Sequence, residues 1–564
     1  MYILGIWDGH DSGAAIVKDG KILAAVNEER LTRRKLEVVF PALSIKACMD
    51  YLNLSPADIE HVAFSSYDLS KTLARLFPFI KEDYYLIRRK KKAAGKVNVL
   101  KKKLKYVLTE QGPGVLSKYI SKLYAENILK TGGFSACDIH FVEHHFCHAA
   151  AAALVSGFDG CLVITMDGIG DGLSGTIGSF LNGRLERKAD ISGKHSLGIF
   201  FEHVTNLLNM RELEDEGKVM ALADLAAPVA DFQNPLLDFF HVHGLDVKSR
   251  YSALRMHTEL EKVSRRYPSE QFAFMAQRTL ELRIVELVRN ALSATGHTNV
   301  ALAGGVFSNI KVNRLIRLIP GVKGCFVFPH MGDGGLAAGA ALMVNHKMSG
   351  TSCVLEDVFL GMDYPDEEIK SVLDGNGLPY RRCEKIEEEA ANLIAAGNII
   401  FWFQGRMEYG PRALGNRSIL ALPDSLKIRD LLNQRLKMRV WYQPFCPAML
   451  EEDAKLYLEQ YSSNPFMTMA YMVREEKKKD IEGVIGADGS CRPQIINGKE
   501  TRFGRLLTEV KKVTGRGVLL NTSFNIHGDP MACSPQDAID TFNKVKTGYL
   551  VMGNFLVRGE NVLN

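Results

Sequence analysis

Apolar and polar positions fall in blocks at the start of the chain, and the blocks predict strands joined by tight turns. Ile3 to Trp7 is an apolar strand that runs into Asp8-Gly9-His10-Asp11-Ser12-Gly13. Ala14 to Lys18 predicts a second strand, Asp19-Gly20 a hairpin turn, and Lys21 to Val26 a third strand. The same order recurs from residue 161: a strand from Cys161 to Met166, a loop from Asp167 to Gly172, a strand from Ser174 to Leu181, the turn Asn182-Gly183, and a third strand from Arg184. Each copy has Asp-Gly directly after its first strand. One such loop is an ordinary turn; two in the same order predict a duplicated unit. Its glycine-rich loops let backbone N–H groups approach a phosphate, and its aspartates can hold a cation or a water. Two such hairpins facing each other would clamp a polyphosphate.

Between the two copies, Glu143-His144-His145-Phe146-Cys147-His148 leads into five alanines, which predicts a helix. His144 and His148, four apart, share one face and supply half of a metal site. His145 points about 100° away and, with Cys147, reads as packing. After the second copy, Asn299 to Ala303 is a buried-type strand ending at Gly304-Gly305 and Asn309, where a planar ligand such as adenine or ribose can approach. A further strand, Gly324 to Phe328, is followed by Gly332-Asp333-Gly334-Gly335 and an alanine-rich helix from about Leu336. A glycine turn at a helix start suits anions, whereas Asp333 suits a metal or a substrate hydroxyl. Asp215 and Glu216, with Lys218 beside them, read either as acid or base groups or as an acidic first helical turn.

The texture changes around residues 350 to 365. A domain from 1 to 350 and a second from 354 to 564 are expected. In the second, a strand from Asn398 to Phe403 precedes Gln404-Gly405-Arg406-Met407-Glu408-Tyr409-Gly410-Pro411-Arg412-Ala413-Leu414-Gly415-Asn416-Arg417-Ser418. Three arginines punctuated by Gly and Pro point to phosphate or carboxylate recognition. Lys437, Arg439 and Arg492 add cations, and a strand from Val518 to Leu520 ends at Asn521-Thr522-Ser523-Phe524-Asn525.

A length of 564 residues agrees with two or three domains, and 46% hydrophobic with 24% charged residues is ordinary for a globular protein. No apolar run reaches the roughly 20 residues of a membrane span. The first residues lack the basic stretch of a signal peptide, and ten cysteines without a C-x-x-C pair exclude a zinc ribbon and fit a reducing cytoplasm. The net charge of +5 hides a local run: Lys81 to Lys105 holds eleven Lys or Arg against Glu82 and Asp83. That run reads as a solvated helical insertion, or as a contact for an anionic polymer or membrane surface.

Together these motifs resemble the carbamoyltransferases of the NodU and antibiotic O-carbamoyltransferase type, over essentially the whole chain. The resemblance rests on Gly9-His10-Asp11, Asn27-Glu28-Glu29-Arg30, His144-His145-Phe146-Cys147-His148-Ala149, Asp167 to Gly172, Glu216-Gly217-Lys218-Val219-Met220, Gly332 to Gly335, Gly405 to Ser418, and Leu520 to Asn525. It implies an α/β protein: a duplicated actin-like fold followed by a YrdC-like α/β domain. It implies that carbamoyl phosphate loses phosphate in the second domain, that ATP captures the carbamate as carbamoyl adenylate, and that this intermediate moves through the interior to the first domain. There a small-molecule hydroxyl accepts the carbamoyl group and AMP leaves. His144, His148 and Asp333 match the family's metal ligands, with Asp167 a further ligand or neighbour. The implied metal is iron(II), with zinc or manganese open and magnesium accompanying ATP. His10 and Asp11 are expected to handle the acceptor proton, with Asp215 and Lys218 as further catalytic candidates. Gly168, Gly170, Gly304, Gly305 and Asn309 are expected around the nucleotide. Arg406, Arg412, Arg417, Lys437, Arg492 and Asn521 are expected around carbamoyl phosphate and the ATP phosphates. A homo-oligomer is compatible with all of this.

Two alternatives share the actin-like core: a tRNA threonylcarbamoyl-type enzyme contacting RNA through Lys81 to Lys105, and a nonenzymatic nucleotide switch or chaperone. A metalloprotease is set aside, because the glutamate of His-Glu-x-x-His is absent.

Overall fold

In a computed structural model of the chain, residues 1–89, 107–134, 137–498 and 500–560 are described. The chain forms two compact units, Met1–Thr32 with Leu36–Asp357, and Arg33–Lys35 with Val358–Asn564.

The first unit holds two five-stranded sheets of one design. Strands β1 (Tyr2–Trp7), β2 (Gly13–Lys18), β3 (Lys21–Asn27), β4 (Ile59–Ser65) and β5 (Asp138–Val142) assemble in the order β3-β2-β1-β4-β5. Strands β6 (Gly160–Gly170), β7 (Leu173–Leu181) and β8 (Arg184–Ser192) are followed by a separate hairpin, β9 (Phe240–His243) and β10 (Asp246–Ser249). With β11 (Asn299–Ala303) and β12 (Gly324–Val327), β6 to β8 form a second sheet in the order β8-β7-β6-β11-β12. In both sheets the hairpin strands are antiparallel, and the later two strands add parallel to the first. This is the duplicated, actin-like α/β architecture. Asp19-Gly20 and Asn182-Gly183 make the hairpin turns, all four residues at positive φ, as type I′ turns demand.

The loop expected from Asp167 to Gly172 is corrected by the structure. Strand β6 continues through Gly170, with a register shift against β7 between Met166 and Gly170, and only Asp171 and Gly172 turn the chain. The bulge re-aims the Asp167 side chain, a common use of an extra residue beside a site.

Helix His144–Ala153 packs on helix Leu336–Ser349 so tightly that a Cβ at Gly339 would sit 2.1 Å from the Cys147 carbonyl oxygen. The alanine runs on both helices allow this approach. It brings the segments bearing His144, His148 and Asp333 together.

Of the basic run, only residues 81–89 are described; 90–105 lie outside the described residues. Its start does not face solvent as expected of a charged insertion. Lys81 Nζ donates to the Asp8 carbonyl at 3.0 Å, and Arg89 pairs with Glu214.

The second unit is an α/β domain around an eight-stranded mixed sheet. In spatial order its strands are Tyr380–Arg382, Phe555–Arg558, Tyr549–Met552, Ile400–Phe403, Arg417–Ala421, Val518–Ser523, Cys446–Leu450 and Gln494–Ile496. Helices Ile386–Ala395 and Arg502–Thr514 bury Ile386, Ile394, Leu506 and Val510 against Trp402, Leu420 and Leu519 of the sheet. Among the described residues no helix is long and apolar enough to cross a membrane. All ten cysteines are free.

Candidate functional site

In the first unit, His144, His148, Asp167 and Asp333 each offer a ligand atom, and these atoms lie within 4.8 Å of one another. Asp167 Oδ2 is 3.3 Å from His144 Nε2 and 3.2 Å from His148 Nε2; Asp333 Oδ1 is 3.5 and 3.6 Å from the same two nitrogens. Glu143 starts the helix beneath them, accepting from the backbone N–H of His145 and Phe146 at 3.1 and 3.0 Å. His145 is turned away onto Thr165 Oγ1 at 2.8 Å and the Leu173 carbonyl at 3.2 Å, as a packing residue should be. Burial opposes the charged form of His144, but the carboxylates of Asp333 and Asp167 outweigh it and raise its pKa to about 9. His148 is also raised: burial works against it, and its bonds to Asp167 and Asp333 prevail. Asp333 Oδ1 is buried and accepts no hydrogen bond. Two imidazoles, two carboxylates and an orphaned carboxylate oxygen form a donor set suited to a divalent cation.

The first hairpin reaches the same place. His10 Nε2 lies 3.3 Å from Asp333 Oδ2. Asp11 points instead toward His330, with Oδ2 3.7 Å from His330 Nε2. The two aspartates that precede glycine in the repeated device differ in company. Asp167 has the histidines; Asp8 is buried in a fork with Arg75, at 2.9 Å to Nε and 3.0 Å to Nη2.

The glycines play distinct parts. A Cβ at Gly170 would fall 2.2 Å from the His144 ring, whereas one at Gly168 would meet only Ile199 Cδ1 at 3.5 Å. Gly304, at φ 105, lies against the Met166 carbonyl, and a Cβ at Gly305 would be 2.9 Å from Asp167 Oδ1. Asn309 is spent on structure: it exchanges amide hydrogen bonds with Gln277 and caps Val312 N. Asp215 and Lys218 pair with each other at 2.7 Å, and Asp215 also accepts from Arg211 N; neither joins the four-ligand cluster.

Asp171, to which no role is assigned from the sequence, positions the start of the helix that bears His144. Its Oδ2 accepts the backbone N–H of His144 at 2.9 Å, while Oδ1 accepts from Ser66 Oγ, Tyr67 N and Asp68 N at 2.7, 3.2 and 3.1 Å. Those partners lie about 100 residues away in sequence, so no local pattern marks them.

In the second unit, Glu408 Oε1 accepts from Leu414 N, Asn416 N and Arg417 N at 2.7, 2.8 and 3.1 Å and folds the Gly-Pro loop around itself. The three loop arginines then part ways. Arg406 is tied to the Leu360 and Gly361 carbonyls, and Arg417 is fully buried over Phe403, donating to the Gln404, Gly405 and Asn416 carbonyls. Their guanidinium donors staple the loop. Arg412 goes instead to a cation cluster. Arg492 donates to Cys446 Sγ at 3.2 and 3.0 Å, and Arg439, which the sequence marks only as a further cation, lies over Phe445. Burial and Arg492 pull the Arg412 pKa down to about 9, and burial pulls Arg439 down to about 10. A π-helical turn, Leu432–Leu436, delivers Lys437, whose Nζ donates to the Ser523 and Asn525 carbonyls at 2.5 and 2.9 Å. Burial, then Arg439, push the Lys437 pKa well below its usual value. Asn521 donates to Ala413 O and Gln494 Oε1 at 3.2 Å each, and its own Oδ1 is buried without a partner. Among the described residues, Arg412, Arg439, Arg492 and Lys437 form no ion pair within 4.0 Å. Cations removed from water are costly unless paired, and guanidinium forks without a carboxylate partner have the chemistry to receive an anion.

Comparison with known proteins decides the family. The family described as "Carbamoyltransferase N-terminus" matches residues 2–342, and "Carbamoyltransferase C-terminus" matches residues 391–559. The chain belongs to the carbamoyltransferase family. An uncharacterized protein of Synechocystis is 30% identical to this carbamoyltransferase, covering 97% of its chain and 95% of the relative. Nodulation protein NolNO of Sinorhizobium fredii is 31% identical, over 97% of the carbamoyltransferase and 79% of NolNO. The 3'-hydroxymethylcephem-O-carbamoyltransferase of Streptomyces clavuligerus is 32% identical, over 41% and 43% of the two chains.

Proposed function

We propose that this carbamoyltransferase makes carbamoyl adenylate in its second unit and transfers the carbamoyl group to a hydroxyl of a small molecule in its first. Carbamoyl phosphate gives up phosphate to water, leaving carbamate. A carbamate oxygen then attacks the α-phosphorus of ATP and pyrophosphate leaves, giving carbamoyl adenylate. The observation that carries this reading is the cluster of Lys437, which is buried, with Arg412, Arg439 and Arg492, which are half-buried, and with no carboxylate at ion-pair distance among the described residues. Two polyanionic substrates supply the missing charge, and guanidinium forks match phosphate oxygens.

In the first unit, His144, His148, Asp167 and Asp333 would hold a divalent cation, iron(II) or another. When bound, such an ion supplies Lewis-acid polarisation of a carbonyl. His10 stands beside this cluster and takes the proton of the acceptor hydroxyl at Nε2 as the oxygen attacks. A labile mixed anhydride requires that water be kept from it during transfer. The O-carbamoylating relative of Streptomyces supports a hydroxyl acceptor.

The experiment measures release of phosphate, pyrophosphate and AMP with each substrate omitted in turn. Pyrophosphate release needs carbamoyl phosphate and ATP together, and AMP release needs the acceptor as well. Full-rate ATP consumption without carbamoyl phosphate would sink the reading. His144→Ala then stops transfer and spares pyrophosphate release, whereas Arg412→Ala stops pyrophosphate release.

A further inference from the structure

Lys71, on helix Leu69–Leu76, has no part in the roles assigned above. Its Nζ stands 3.8 Å over the centre of the Trp7 ring. A Cβ at Gly9 would fall 2.1 Å from that nitrogen and 2.2 Å from the indole, so ammonium, ring and the Gly9 backbone are packed in one layer. His10 follows directly. Trp7 ties the layer to the four-ligand group: its Nε1 donates to the His10 carbonyl at 2.7 Å, and its ring meets the His144 ring edge-on at 5.9 Å.

The placement is over-determined. Asp68 caps the Lys71 helix, accepting Lys71 N at 2.9 Å. Asp68 N is itself held by Asp171, the carboxylate that also holds His144 N. One side chain thus registers Lys71 and a cation ligand against each other.

The charge of Lys71 is answered by the Trp7 ring and by carboxylates at a distance, not by an ion pair. Asp8, the nearby carboxylate, is taken by Arg75 in a fork and by Lys81 at 3.6 Å. Among the described residues Lys71 forms no ion pair within 4.0 Å. An aromatic face contributes about 0.5–2 kcal/mol to a cation, less than desolvating an ammonium costs. Burial accordingly pulls its pKa to about 8, against the fields of Asp8, Asp333 and Asp68. A cation held beside a reacting centre without a carboxylate partner at ion-pair distance is suited to negative charge that develops there.

We propose that Lys71 is a further catalytic residue of the transfer site, pairing with the phosphate of carbamoyl adenylate as that phosphate leaves. The assignment rests on the function proposed above. The acceptor oxygen bonds to the carbamoyl carbon and its proton passes to His10 Nε2. The bond from that carbon to the phosphate oxygen breaks with its electron pair, and AMP departs with one more negative charge than the phosphate carried before. Lys71 meets that charge.

The test compares Lys71→Met and Lys71→Arg with the parent protein in three assays. In Lys71→Met, carbamoyl transfer falls roughly 100-fold, the loss typical of one removed oxyanion donor. Carbamoyl-phosphate-dependent pyrophosphate release and the melting temperature hold, and Lys71→Arg recovers part of the transfer rate. In an Arg412→Ala background, which disables the second anion site, Lys71→Met weakens AMP binding by about tenfold. Unchanged transfer, or transfer and pyrophosphate release falling in parallel, would overturn the assignment. Should the parent release no AMP with carbamoyl phosphate, the broader function fails, yet AMP binding still decides: equal affinity with and without the Lys71 ammonium overturns the anion contact.

Discussion

The carboxylate of Asp171 receives the backbone N–H of His144 at 2.9 Å, and through this bond the second hairpin fixes the start of the helix that presents His144 and His148. The same carboxylate orders Ser66, Tyr67 and Asp68. Side chains that orient ligands in this way typically account for 10- to 100-fold in metal affinity. Asp171→Ala is therefore expected to lower the affinity for a divalent cation by about that factor, measured by titration calorimetry, and to slow transfer while sparing pyrophosphate release. Undiminished affinity would show that the helix start holds without it.

Gly170 and Gly168 lie two residues apart on one strand and predict opposite results. A Cβ at Gly170 would overlap the His144 ring at 2.2 Å, and one at Gly168 would make ordinary contact at 3.5 Å. Gly170→Ala should abolish cation binding and transfer, and Gly168→Ala should keep both within about threefold, since displacements near an ångström at a site already cost about a hundredfold. The two variants need only a metal analysis and a transfer assay.

Arg412 is a half-buried cation with no carboxylate partner among the described residues, and its Nε is buried without a hydrogen bond. Its folded form is stabilised by whatever anion binds there. Arg412→Met is expected to raise the melting temperature of the protein alone and to remove pyrophosphate release. Carbamoyl phosphate should raise the melting temperature of the parent and leave that of Arg412→Met unmoved. A parent insensitive to carbamoyl phosphate would count against an anion site here.

Glu216 titrates in an unusual range. Burial raises its carboxyl to about 8, against the hydrogen bond from Leu213 N, with Glu202 and Asp215 pushing the same way as burial. A folded pKa above the ordinary 4.5 means that the folded protein binds the proton more tightly. The resulting stability is complete below pH 4.5, declines as pH rises, and is gone above about 8. Glu216→Gln cannot ionise and should flatten the fall of melting temperature across that window. Identical slopes for the two proteins would exclude the shift.

Much of the architecture could be read along the chain, because turns and helix formers act locally. Asp19-Gly20 and Asn182-Gly183 tolerate positive φ, so they mark their hairpins whatever surrounds them. The alanines after His148 favour helix for the same local reason. Other features depend on distant partners. Strand β6 runs past Met166 because Gly170 packs on His144 and Asp171 bonds to residues of the first sheet's connection. Arg406, Arg412 and Arg417 look alike in sequence. Only the carbonyls of Leu360, Gly361 and Gln404, and the thiol of Cys446 near Arg412 and Arg492, separate staples from free charge. Asn309 carries a Gly-Gly signal beside it, yet its amide is answered by Gln277 on another helix.

Asp8 and Asp167 hold equivalent places in the two sheets, each directly before a glycine, and they keep different company. Around Asp8 stand Arg75 and Lys81; around Asp167 stand two imidazoles and a second acid. The repeat thereby has a polarity: Asp8 is neutralised by two cations, whereas Asp167 sits in a donor set suited to a divalent cation. A ligand carrying a metal at one end and an anionic tail at the other fits between two such places in a single sense, so the direction in which it lies is written into the difference between two aspartates.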